Sequence, residues 1–596
     1  MTVISQPDAG RPGSGGAQVD ESARPDADAG LPLLAWLSSP VVQGGIAFLI
    51  YFLVWVPTAF RTIVHHLGQA LLDQKSMDPN FYIWCMRWWP YAIGHGHNPV
   101  FTHMIEAPAG HSLAWVTTIP PLSLLAAPLT LTAGPVVTFN ILAAAALPVS
   151  AWAAFVLCRR LTGKFWAALV GGAVYGFSAY EMNHGSAGQL NLAYSLLLPL
   201  LAYLIVLWQS GRISSKVFVV LAGVVMGLQY YLFEETFAGL TGMLVVGFLV
   251  AFAVAGRDYR PEVSRLLKVM IPAYALAAVL AAPYFLLALA SKPPKPARIT
   301  GMDLASLVIP RPGRTYGIGW LTKAAAGPDL ISAGCFVGIP LFVVAVVLAV
   351  TRWKSPLVRF LTIMLAFTIV ASIGPVLRID GHVAAVLPWA HLFHEPFIKN
   401  AYPARLMLFA YLVLAVATAI FLAQAGPRIR WVSLPLGILV LAFLALDSAP
   451  IGAQPHNTVP AFISRPDLYR RNLSPDEIVV VVSNVGNAGM LWQAQSSFYM
   501  RIAGGYINAG LSHKTDLPRV VQALAHASPA AIARFENYVR ADHIGAVLID
   551  YHHQPRWAKV FAHMGLRGHL SGGVLVYPTN GCAACTPNAG ATAQRA

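Results

Sequence analysis

Charged side chains are scarce in this chain, so each one beside a long apolar run is a candidate for chemistry. Asp73 and Asp78 lie in "LLDQKSMDPNFYIWCMRWWPYAIGHGHNP", residues 71–99, just after the first segment greasy enough to enter a bilayer. A carboxylate held at the mouth of a bilayer cavity serves as a general base or a metal ligand. The plainer reading of Asp78 is a helix N-cap ahead of Pro79, and a capping aspartate is held as rigidly as a catalytic one must be. Glu234 and Glu235, in "FEETF", fall at the tip of a hairpin between two apolar runs. Turns ordinarily use Gly, Asn or Asp, and adjacent carboxylates at bilayer depth are costly unless paired or hydrated. At least one of them is expected to point into a polar cavity, with a solvated turn as the alternative. His184, Gln189 and Asn191, in "EMNHGSAGQLNLAYSLLLPL", carry donors and acceptors that suit sugar hydroxyls, while Glu181 reads as a loop residue in water. Arg405, in "HEPFIKNAYPARLM", starts an apolar run on the side where cations are rare, so something is expected to hold it there. Its fork binds phosphate bidentately; snorkelling to lipid headgroups is the alternative. His394, Glu395 and Lys399 precede it as further candidates, and Lys292, Lys295, Arg311 and Arg314 are phosphate contacts or plain surface.

The elements that position these groups follow from composition. Of 596 residues, 57% are hydrophobic and only 11% charged, where soluble chains carry roughly 25% charged residues. The expectation is a polytopic α-helical membrane protein with a small C-terminal extracytoplasmic α/β domain. Eleven segments are apolar enough to cross: 42–60, 136–158, 165–180, 190–208, 216–233, 238–256, 268–290, 332–351, 357–376, 405–424 and 431–447. A twelfth stretch, 112–133, is broken by Pro120, Pro121 and Pro128 and reads as juxtamembrane or re-entrant. After Pro79, the residues Phe81, Trp84 and Trp88 share one face at helical spacing, as in a helix lying in the membrane interface.

The net charge of +15 is spread in short clusters between apolar runs, which is the positive-inside pattern and not a nucleic-acid footprint. Arg159, Arg160 and Lys164 mark one cytoplasmic connection; Arg212 and Lys216, Arg257 to Lys268, Arg352 to Arg359, and Arg428 with Arg430 mark the others. The connections 181–189 and 234–237 hold no Lys or Arg. That places 65–135, 181–189, 234–237, 291–331, 377–404 and everything after 448 outside, together with most of the unusual polar residues. Residues 1–30 carry no signal-peptide pattern and are expected to be disordered, with the N-terminus cytoplasmic. The domain expectation is a tail over 1–40, a membrane domain over 41–450 with its large first outer loop at 65–135, an α/β domain over 451–580 and a tail over 581–596. Of five cysteines, Cys85, Cys158 and Cys335 read as small hydrophobes; Cys582 and Cys585 form a C-x-x-C without a second pair. No Walker, G-x-S-x-G or H-E-x-x-H motif occurs, so ATP-driven transport and metalloprotease chemistry have no support.

The layout resembles the GT-C integral-membrane glycosyltransferases. "MDPNFYIW", with Asp78, stands where those enzymes carry an acidic first outer loop. "TTIPPLSLLAAPLTLTAGPVVTFNILAAAALPVSAWAAFVLCRRLTG" is similar to their Pro-Pro-Leu segment and Arg-Arg-Leu helix end, and "YPARLM" to a Pro-x-Arg entry into a late span. The chain departs from the commoner Asp-Glu or Glu-Asp pair in that first loop. The resemblance implies transfer of a sugar from a polyprenyl-phosphate donor to a cell-envelope glycan or glycolipid at a bacterial plasma membrane, by displacement at the anomeric carbon. Asp78 is then the expected base, with Glu235 in reserve and Asp73 and Glu234 beside them. Arg405 would meet the departing phosphate, with or without a divalent cation such as Mg or Mn, and Trp84 and Trp88 would wall the lipid or stack on sugar. A lipid-linked glycan transporter and a non-catalytic envelope-glycan-binding protein are the alternatives.

Overall fold

The computed structural model describes residues 39–60, 64, 67–68, 71–72, 78–257, 259–291, 301–309, 334–394, 401–424, 435, 437–442, 453–454, 459–483, 487–505, 528–551, 561–562 and 564–581. Asp73, Lys292, Lys295, Arg311, Arg314, Glu395, Lys399, Cys582 and Cys585 lie outside the described residues, as do both terminal tails beyond 39 and 581.

Among the described residues seven helices are long and apolar enough to cross a membrane: Pro40–Pro57, Pro135–Thr162, Leu190–Gln209, Ser215–Leu232, Glu234–Val254, Arg260–Ala290 and Pro403–Ala423. Three shorter apolar helices, Phe165–Gly176, Ile339–Arg352 and Pro356–Ser372, accompany them. The chain is a multi-pass membrane protein. Ten of the eleven expected segments coincide with one of these helices; of 431–447 only 435 and 437–442 are described. The segment expected at 165–180 stops at Gly176, because Phe177 leaves the helix and Ser178 caps the next one through the Glu181 N–H at 3.3 Å. The Pro-broken stretch resolves into two short helices, Pro120–Leu125 and Ala127–Ala133, each with proline in its first turn.

Small residues let three helices meet backbone to backbone. A Cβ on Gly172 would stand 2.3 Å from the Tyr51 hydroxyl, and one on Gly176 would stand 2.4 Å from Ala151. With no hydrophobic drive between helices in lipid, such close approach supplies the packing. This locks Pro135–Thr162 against Phe165–Gly176, and Gly171 brings in Met407–Ala423 through the Ala415 carbonyl.

The last third of the chain forms a five-stranded sheet in the order His569–Ser571, Val574–Pro578, Ala546–Asp550, Ile478–Val482, Arg501–Ile502. The pairings of Ile478–Val482 are parallel, and the Val574–Pro578 hairpin closes the other edge antiparallel. The sheet and its helices form the small α/β region expected towards the C-terminus. The apolar run Ile478–Val482 is buried almost throughout, as a strand covered on both faces should be. Phe535, on the helix Pro529–Ala541, fills one face beside Phe561.

Candidate active site

Asp78 opens the helix Asp78–Gly94, with Pro79 in its first turn. Its Oδ2 accepts a hydrogen bond from Gln189 Nε2 at 2.6 Å, and Gln189 Oε1 lies 2.6 Å from His184 Nδ1. One turn along, the Tyr82 hydroxyl donates to Asn191 Oδ1 at 2.6 Å. Three of the residues singled out in sequence, Asp78, Gln189 and His184, are thus one hydrogen-bonded chain, and a fourth, Asn191, holds Tyr82 on the same helix. Gln189 and Asn191, expected to hold sugar hydroxyls, spend these bonds on Asp78, His184 and Tyr82.

The same connection corrects the expectation for Glu181, which is not in water but fully buried. The Ser195 hydroxyl donates to its Oε1, and its Oε2 has no partner among the described residues. Burial pushes the Glu181 carboxyl well above the usual carboxylate range, only partly offset by the Ser195 bond. It is therefore neutral in the folded chain at pH values where the unfolded chain ionises it. The stability this group contributes is full below about pH 4 and is lost as pH rises through its raised folded value. Glu181→Gln, a neutral isostere, is accordingly expected to raise the melting temperature of the detergent-solubilised protein. The gain should be absent near pH 4 and grow towards pH 8; a gain independent of pH would exclude an ionisable origin.

A second group forms where Glu234–Val254 begins. Phe233 is extended, at φ −164° and ψ 114°, and turns the chain so that Glu234 and Glu235 occupy the first turn, where unpaired N–H groups favour carboxylates. Glu235 forms an ion pair with Arg405 and accepts the Tyr402 N–H at 2.7 Å. The Arg405 guanidinium also lies over the Tyr402 and Phe233 rings, 4.5 and 5.2 Å from their centroids. This is what holds a cation at that end of the span, and it replaces the snorkelling alternative. It also corrects the reserve role of Glu235, whose two oxygens are both engaged, so that it anchors Arg405 and is poorly placed to take a proton.

Glu234 accepts the Thr117 hydroxyl at 3.1 Å. Thr117 belongs to a loop fastened by the Tyr284 hydroxyl, which donates to the Leu113 and Val116 carbonyls at 2.6 and 2.8 Å. Two residues on, buried Ile119 has φ +45°, a strained conformation for a β-branched residue. Tyr180 extends the first group. Its ring lies 4.4 Å, centroid to centroid, from that of His184 in an edge-to-face arrangement. Sequence reading passed over Tyr180, since a tyrosine at the end of an apolar run looks like an interface anchor. Asp78, Gln189, His184 and Tyr180 therefore form one run of contacts, and Arg405, Glu235 and Tyr402 form another.

Trp84 and Trp88 do not wall lipid or offer a face to sugar. They stack on each other at 5.3 Å, are almost wholly buried, and pack edge-on against Phe498. The Trp84 indole donates to Gln493 Oε1 at 2.7 Å, and that of Trp88 to the Pro99 carbonyl at 2.9 Å. Gln493 returns two bonds, to the Met104 and Met500 carbonyls at 2.7 and 2.9 Å. The helix expected to float in the interface is instead buried between the membrane helices and the helix Ala488–Gln495 beside the sheet. His394 ends a 3₁₀ helix, Pro388–His394, and its side chain lies outside the described structure. Among the described residues no three His, Cys, Asp or Glu side chains gather in a way that holds a metal. Among the contacts described, Asp78 meets the amide of Gln189.

No protein-family model matches the chain, and no curated protein does. Solved structures do. Over 91% of its length the chain is similar to the arabinofuranosyltransferase AftD from Mycobacteria, with a TM-score of 0.58 and 13% identity, and it spans only 40% of that protein. Over 93% of its length it is similar to the oligosaccharyltransferase AglB from Archaeoglobus fulgidus, solved with an inhibitory peptide and a dolichol-phosphate. There the TM-score is 0.52 at 13% identity, over 76% of that chain. At such identity the likeness is one of fold: over most of its length the chain folds as these two transferases do.

Proposed function

We propose that the chain is a membrane glycosyltransferase that moves a sugar from a polyprenyl-phosphate donor to an envelope glycan or glycolipid on the extracytoplasmic side. The observation that carries this reading is a half-buried carboxylate, Asp78, held by Gln189 and His184 in a chain that also contains a guanidinium, Arg405, held at the start of a span by Glu235 and Tyr402. Displacement at an anomeric carbon needs both groups within one sugar's reach. Asp78 takes the proton of the acceptor hydroxyl as it attacks. The remaining N–H donors of Arg405 stabilise charge on the phosphate oxygens as the anomeric bond breaks. The leaving polyprenyl phosphate takes the electron pair of the broken bond as an added negative charge, and the acceptor's proton stays on Asp78.

Both similar structures carry glycosyltransferase names, and one was solved with a dolichol-phosphate, which supports a lipid-linked donor. The clustering of the site residues at one end of the helices, where the sheet region attaches, favours surface chemistry over a path across the bilayer. The test is incubation of membranes holding the full chain with labelled polyprenyl-phosphate pentoses and hexoses and an envelope acceptor extract. Label entering glycan above that of empty membranes is the expected result. No transfer from any donor, at confirmed expression, would overturn the proposal.

A further inference from the structure

The hydrogen bonds around Asp78 have a direction that chemistry fixes. A carboxylate only accepts, so the Gln189 amide turns its NH₂ towards Asp78 Oδ2 and its carbonyl oxygen towards His184. His184 must then donate from Nδ1, which settles on which ring nitrogen a proton resides. Gln189 has little freedom to do otherwise. Gly188 before it has φ +65°, and a Cβ there would stand 2.6 Å from the Pro79 ring, so the connection presses directly on the first turn of the Asp78 helix. The connection is closed at both ends, by Ser195 on Glu181 and by Tyr82 on Asn191.

We infer that Gln189 is a positioning residue for Asp78: its amide fixes the plane of the carboxylate, and His184 fixes which way round the amide lies. The inference rests on the reading of Asp78 as base, and it gives Gln189 a role other than contact with sugar. A carboxylate free to rotate would meet the acceptor hydroxyl in many orientations, of which few are productive.

The test is an amide–carboxylate exchange in the full-length protein, read by kinetics and by melting in detergent. Gln189→Glu keeps the shape but sets two carboxylates against each other. It is expected to lower kcat about 100-fold with the acceptor KM little changed, and to lower the melting temperature. Asp78→Asn combined with Gln189→Glu restores a donor–acceptor pair between the two positions while moving the carboxylate to the wrong place. Its melting temperature is expected to return to the wild-type value while transfer stays lost. A residue with only a structural role would lower the melting temperature in Gln189→Glu and leave the kcat of the folded enzyme unchanged. A wild-type rate in Gln189→Glu beside an inactive Asp78→Asn would overturn the positioning role and leave the base standing. An exchanged pair as unstable as Gln189→Glu alone would overturn it too. A wild-type rate in Asp78→Asn alone would remove the base, and the positioning role with it.

Discussion

Asp78→Asn lowers sugar transfer by about 10²–10⁴-fold, the range in which positioned general bases contribute. The variant isolates the chemistry because asparagine has the same shape and keeps an oxygen to accept the Gln189 amide, so the connection that presses on Pro79 stays in place. What disappears is a group able to take a proton. The initial rate at saturating donor and acceptor, in membranes with matched expression, is the quantity to compare. A rate within a few-fold of wild type would remove Asp78 from the chemistry. Attention would then pass to Glu234, which accepts only the Thr117 hydroxyl among the bonds described for its side chain and stands beside the strained turn at Ile119.

Arg405→Ala is expected to lower kcat by about 10²–10³-fold, the loss seen when a single stabilising donor is removed from a developing anion. Here stability and chemistry are entangled and must be separated. Removing the guanidinium leaves Glu235 with the Tyr402 N–H alone, and a carboxylate stripped of its cation in a half-buried site is destabilising. Arg405→Met together with Glu235→Gln removes both charges at once. That pair is expected to recover the melting temperature lost in Arg405→Ala while transfer remains absent. Arg405→Lys keeps the charge but not the planar fork, and is expected to fall between the two. Full transfer in the doubly neutral variant would show that the departing phosphate finds its positive charge elsewhere.

The membrane helices were legible because a span is a local property: about 20 apolar residues declare themselves without reference to anything distant. The strands of the sheet declared themselves in the same way, as short apolar runs between Gly- and Asn-rich turns. Asp78 was legible because acid beside a bilayer is expensive, and Arg405 because a cation on that side is out of place. What sequence did not give was partners. Glu235 and Arg405 are 170 residues apart, and only the thought that two misplaced opposite charges satisfy each other would have joined them. Trp84 and Trp88 were misread for a different reason. An aromatic face at helical spacing looks the same whether it meets lipid or another part of the chain, and the part that covers it begins some 400 residues later. Glu181 was misread because its partner, Ser195, is an ordinary residue in an apolar run, with nothing to mark it.

That long-range cover has a consequence for how the protein is made. Leu71 and Leu72 pair with Gln454 and Ala453, and the indole of Trp84 bonds to Gln493. The helix that carries Asp78 emerges early in synthesis, yet its rings cannot be buried until almost the whole chain has been inserted. A nascent or truncated chain therefore holds the helices but leaves the indoles of Trp84 and Trp88 uncovered, and the packing around that helix is completed last. An unfinished copy in the membrane would lack that support, with no need of a separate inhibitor.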